Sequence, residues 1–111
     1  MNALVLSLVL VGASPTAKPP ASSEVTLASQ GFEMAEGQYQ AGVLTMEVVL
    51  TWATRLHDAQ RAANDAQADA NHLTRLQALH DIATRRLATG TATKLDVLAV
   101  EVAQARAARG Q

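Results

Sequence analysis

Apolar residues recur along most of this chain at alternating three- and four-residue steps, the pattern of helices packed along a common seam. The first run is Val25, Ala28, Phe32, Ala35 and Tyr39, interrupted by Gly31 and Gly37. Each glycine costs about 1 kcal/mol relative to alanine inside a helix, so this first helix is expected to be the frailest. The second run passes through Val49, Trp52, Leu56, Ala59, Ala63, Ala66, Ala70 and Leu73, then Leu76, Leu79, Ala83 and Leu87. Its opposite face carries Arg55, Asp58, Arg61, Asp65, Asp69 and Arg75. With no Gly or Pro between Gly42 and Gly90, the run predicts one helix from about Thr45 to Ala88, roughly 65 Å long. A third seam of Leu95, Leu98, Val102 and Ala105 predicts a helix from about Thr93 to Arg109.

The breaks between these runs share a motif. Tyr39-Gln40-Ala41-Gly42-Val43-Leu44-Thr45 and Leu87-Ala88-Thr89-Gly90-Thr91-Ala92-Thr93 are offset by 48 positions (90 − 42 = 48). Threonine follows each glycine at the third position (Thr45, Thr93), and Val-Leu at the seventh and eighth (Val49-Leu50, Val97-Leu98). An alanine follows at the seventeenth (Ala59, Ala107). Glycine suits a helix C-terminus because it takes the left-handed conformation without a Cβ penalty. Thr91 or Thr93 is then expected to accept hydrogen bonds from the first free N–H groups of the next helix. Asp96 falls in that helix's first turn, where a negative charge suits the macrodipole. The two motifs read as tips of antiparallel helical hairpins in an internally repeated chain.

The N-terminus differs. Residues 1–13 are apolar from Ala3 to Val11, but thirteen helical residues reach about 20 Å, short of a roughly 30 Å hydrocarbon core. Small residues at Gly12-Ala13-Ser14 and Thr16-Ala17 suit a signal peptidase, so a secretory signal is expected, although no Lys or Arg precedes the apolar run. A misassigned start or a buried apolar arm is the competing reading. Residues 14–23 (SPTAKPPASS) form a Pro/Ser-rich linker expected to be extended and mobile. The helical region is then 24–111.

Composition narrows the function. Of 111 residues 49 % are hydrophobic but only 3 % aromatic, so burial is expected along thin, alanine-rich seams. Net charge is −1 with mixed signs, which gives a nucleic-acid partner no support. The absence of cysteine excludes disulfides, thiolate metal sites and a lipidated cysteine anchor. His57, His72 and His80 lie at no metal-binding spacing and read as solvated helix-face residues. No paired catalytic carboxylates, phosphate loop or nucleophile motif is present, so neither enzyme nor cofactor chemistry is expected. Mixed charges opposite an alanine face argue against a membrane-surface helix. Trp52 and Phe32 read as seam fillers, whereas Tyr39, three residues before a tip glycine, has a contact role open to it.

Both tip motifs resemble those of the TolC-like outer membrane efflux proteins. Members carry an aromatic, two residues, Gly, two residues, Ser or Thr, two residues and Asp-Val-Leu, then small and apolar heptad positions. The first copy here supplies Tyr39, Gly42, Thr45, Val49, Leu50, Leu56 and Ala59; the second supplies Arg86, Gly90, Thr93, Asp96, Val97, Leu98 and Ala107. The likeness spans about Ala28 to Arg109. It implies a protomer of a trimeric export duct, whose periplasmic helical tunnel passes substrates passively and docks a periplasmic adaptor (membrane fusion) protein. The implied adaptor-binding residues are Tyr39, Gly42, Val43, Leu44 and Thr45, with Arg86, Leu87, Gly90 and Thr93; Asp96 matches a position that can face the pore. The first copy has Val48 where the aspartate should stand, with Glu47 one residue early, and the second has Leu87 in place of the aromatic. Family members run to several hundred residues and include barrel strands, and their tips lie farther apart in sequence.

The expected fold is therefore all-α: three long antiparallel coiled-coil helices, up-down-up, behind a disordered or signal-like arm. The expected function is part of an efflux or type I secretion channel at the outer membrane of a Gram-negative-type cell, as a fragment or a diverged remnant. The alternative is a free-standing periplasmic coiled-coil interaction module without transport activity.

Overall fold

Three internal residues with positive φ decide where the chain turns: Gly42 (φ 80°), Asn64 (φ 59°) and Gly90 (φ 77°). The computed structural model, which describes residues 21–110, has four helices around them: α1 (Ala21–Gln40), α2 (Met46–Ala62), α3 (Ala68–Ala88) and α4 (Lys94–Ala108). The described residues contain no strand, in keeping with an all-α chain. The long helix expected from Thr45 to Ala88 is in fact two helices, so the three-helix arrangement is replaced by two hairpins, α1–α2 and α3–α4. α1 begins at Ala21, so the last three residues assigned to the linker are helical. The signal-like segment and the rest of the linker lie outside the described residues.

All three turns close in the same way. The left-handed residue donates its N–H to the carbonyl three back, and the next residue donates to the carbonyl five back. The pairs are Gly42 to Tyr39 (3.0 Å) with Val43 to Gln38 (2.8 Å), and Gly90 to Leu87 (3.1 Å) with Thr91 to Arg86 (2.8 Å). In the middle turn they are Asn64 to Arg61 and Asp65 to Gln60, both 3.0 Å. This is the Schellman ending, which satisfies carbonyls that the helix leaves free. Asparagine is the non-glycine residue best suited to the left-handed position. Asp65 completes the break: its carboxylate accepts the Gln67 N–H at 2.8 Å, a side-chain turn that redirects the chain into α3.

The seam residues sort accordingly. Ala28, Phe32, Ala35 and Tyr39 are buried, with Val25 packed beside them; Val49, Leu56 and Ala59 are buried and Trp52 is half-buried. Ala66, Ala70 and Leu73, which continue the spacing across the break, are exposed. α3 recovers the seam at Leu76, Leu79 and Ala83. In α4 the expected seam is the exposed side: Leu95, Leu98 and Val102 are 74, 43 and 51 % accessible, whereas Val97 and Val100 are buried. That helix is apolar on several sides, so spacing alone does not select a face; packing on α2 and α3 does. α2 is the central helix, contacting α1, α3 and α4, and the molecule measures 59 × 31 × 20 Å.

The two glycines of α1 have unequal roles. A Cβ at Gly31 would overlap the six-membered ring of Trp52, whereas one at Gly37 would meet nothing within 4 Å. Gly37→Ala should therefore stabilise by about 0.5–1 kcal/mol through helix propensity. Gly31→Ala should destabilise by about 1–3 kcal/mol, because overpacking outweighs the same gain. Thermal melts by circular dichroism check both, and equal shifts would contradict the Trp52 slot. At the middle turn, Asn64→Gly should keep full stability while Asn64→Ala loses about 1 kcal/mol, read in denaturant titrations.

Candidate functional site

The two tips lie side by side because residues of one reach the other. The Tyr39 hydroxyl donates to Asp96 Oδ2 at 2.8 Å, linking the end of α1 to the first turn of α4. Arg86 extends from the end of α3, stacks on the Tyr39 ring (5.0 Å to its centroid) and donates to the Gln40 carbonyl at 2.9 Å. It also donates to the Thr91 carbonyl of its own turn at 3.1 Å. One arginine thus bonds to backbone in both turns, and the planar guanidinium suits this combination of stacking and forked donation.

Tyr39 is 2 % exposed, so it braces the tip from inside and leaves no surface for an outside partner. Burial, then the bond to Asp96 and its charge, push the phenol up to about 12, against the opposing effect of Arg86. Asp96 is half-buried and its carboxylate holds Tyr39. Leu87, at the position equivalent to Tyr39, is half-buried against the core, as is Leu44. The outward surface consists of Gly42, Val43 and Thr45 with Gly90 and Thr93, all exposed; Val43 is 67 % accessible.

The threonines do not cap as the sequence suggested. Thr45 and Thr93 occupy the N-cap positions of α2 and α4 with extended backbones (ψ 160° and 165°), yet neither side chain bonds to the helix. The Thr91 hydroxyl instead donates back to the Arg86 carbonyl at 3.2 Å, and Thr89 donates to the same carbonyl at 3.1 Å. The second tip is therefore stiffened by hydroxyls that the first lacks.

The histidines also depart from expectation. His57 and His72 are not solvated: each is 6 % exposed, and their rings stack with centroids 4.1 Å apart and planes 2° from parallel. His57 Nε2 lies 2.8 Å from Asp69 Oδ1, which holds that carboxylate below its usual range. His72 Nδ1 is buried with no hydrogen-bond partner. Burial, followed by the nearby His57 and Arg75, lowers His72 to about 4. His80, half-buried, pairs with Glu101 at 3.0 Å. The stacked pair spans fifteen residues of sequence and meets only because the chain turns at Asn64. Among the described residues no group of three side chains can hold a metal ion, and no helix is long and apolar enough to cross a membrane.

No family model matches the sequence, and neither curated proteins nor solved structures yield a match to it.

Because the chain has one tyrosine, its phenol can be titrated directly by absorbance. The midpoint should fall near 12, and since the folded value lies above the unfolded value of about 10, stability from this group is lost as pH rises through that interval. Asp96→Asn should lower the midpoint by removing a carboxylate acceptor and its charge. An unchanged midpoint in that variant would mean the tip is not tied through this bond.

Proposed function

We propose that this chain is a component of a TolC-like export duct, contributing paired helical hairpins whose tips dock a periplasmic adaptor protein. The observation that carries the reading is the pair of equivalent tips, closed by the same bonds 48 residues apart and joined at one end by Tyr39, Arg86 and Asp96. Two docking motifs presented side by side suit a partner built from helical hairpins, and simultaneous engagement multiplies affinity without new contacts.

The outer faces support lateral addition of further hairpins. Leu98 and Val102 of α4 are exposed, and Val102 lines an open groove with Leu50 and Thr54 of α2. Exposed Leu27 and Met34 of α1 correspond, 48 residues on, to Arg75 and Ile82 of α3. Arg75 bonds to Gln60 of α2 and Ile82 packs on the core. The α1 stripe thus sits where its counterpart is used between hairpins, as a ring of copies requires. In this reading the chain belongs to a homotrimer in the periplasm and outer membrane, needs no cofactor and catalyses no reaction. Substrate moves passively, driven by the partners.

The second reading, an independent periplasmic interaction module, is favoured by one feature: Val49, Leu76, Leu79 and Val100 are fully enclosed within this chain alone. Immunoblots of fractionated cells separate the two. A product well above 11.7 kDa in the outer-membrane fraction supports the duct; a soluble periplasmic product of about that size supports the module.

Tip docking is tested by Val43→Asp, which alters an exposed apolar residue and should leave the melting temperature unchanged. Capture of periplasmic adaptor hairpins should fall about tenfold or more if Val43 lies within the contact. Capture at full strength would remove the tip from the interface.

A further inference from the structure

The stacked histidines stand apart from the tips, at the opposite end of the hairpins, and they join the hairpins directly: His57 belongs to α2 and His72 to α3. Around them the interface is polar but unevenly charged. α2 contributes Asp58 and Arg61, the turn Asp65, α3 Asp69 and Arg75, and α4 Arg106 across the groove. α1 packs on the other side of α2, where Glu24 shares a shallow cleft with Arg55 and Asp58. Only one carboxylate, Asp69, bonds to the pair, and it bonds to His57.

We propose that the His57–His72 stack is an acid-sensitive clasp, closed when the rings are neutral and opened by protonation, with the Asn64–Asp65 turn as its hinge. Neutral imidazoles stack like any flat rings, and His57 has Asp69 to accept its N–H. Of the two rings, that carboxylate pairs with His57 alone. A proton on His72 would place a buried cation against the His57 ring at the 4.1 Å spacing, beside Arg75 and with its Nδ1 lacking any hydrogen-bond partner. Separation of α2 from α3 relieves this by admitting water to both rings.

The far end is tied by groups of another kind. Tyr39 stays protonated throughout the acid range, and Arg86 bonds to backbone carbonyls. The hairpins therefore part at the turn while remaining tied at the tips. The sign follows from His72: its packed-state value of about 4 lies below the free value of about 6.5, so its contribution is complete above 6.5 and lost as pH falls towards 4. Between pH 6.5 and 4 the ratio of closed to open forms should drop by roughly 100-fold.

The chain has no cysteine, so spin labels can be placed cleanly on the full-length protein. Thr26→Cys with Thr74→Cys reports α1 against α3 towards the turn, and Ala41→Cys with Thr89→Cys reports the tips; all four positions are exposed. Between pH 7 and 4 the first distance should lengthen while the second and the helical circular dichroism hold. His72→Phe should abolish the lengthening. A first distance that does not change, an equal acid response in His72→Phe, or parallel loss of helicity would each overturn the clasp. Should His72→Phe fail to fold, nuclear magnetic resonance titration of the native imidazoles decides. One ring titrating well below the ordinary range together with the opening supports the proposal, and three ordinary titrations overturn it.

Discussion

The arrangement of this molecule depends on a single backbone event repeated three times: one residue at a helix end enters the left-handed region and returns two N–H groups to carbonyls behind it. Without it the 3-and-4 spacing would continue as rod, and neither hairpin would close. At Gly42 and Gly90 the event folds each repeat on itself. At Asn64 it folds one repeat onto the other, a higher-order step produced by the same local geometry.

That shared geometry explains what could be read directly from the residues. The α1 seam and both tips were legible because glycine advertises a left-handed turn and because Val25, Ala28, Phe32, Ala35 and Tyr39 keep an unbroken 3-and-4 spacing. Asn64 was illegible in the same terms: its signal is weaker than glycine's, and alanines at 63, 66 and 70 carried the spacing straight across it. Everything that depends on this turn was lost with it. His57 and His72 looked like distant, solvated residues, and Asp69 looked like one more charge on a polar face. The face of α4 was obscure for a different reason. Apolar residues on several of its sides leave the choice between Leu95/Leu98 and Val97/Val100 to tertiary packing, which no periodicity encodes.

The two hairpins differ at equivalent positions in volume and bonding. Where the first hairpin pairs Gly31 with Trp52, the corresponding positions of the second hold Leu79 and Val100, both fully buried. A small residue facing a very large one has been exchanged for two of middle size, consistent with a seam of fixed spacing and conserved filling. At the tips the exchange is polar. Tyr39 in one repeat meets Asp96 in the other, and their equivalents, Leu87 and Val48, are apolar. The asymmetry makes the bond one-of-a-kind within the chain and fixes which tip sits beside which.

The same asymmetry gives the protein two intrinsic optical reporters at separate places. Its sole tryptophan stands in the first hairpin's seam, with Arg55 over its ring at 4.6 Å, while its sole tyrosine bridges to the second hairpin. Tryptophan emission therefore follows the packing of α1 on α2, and tyrosine absorbance follows the junction between hairpins. Unfolding that begins at the junction and unfolding that begins within a hairpin leave different spectral orders of events, without any added label.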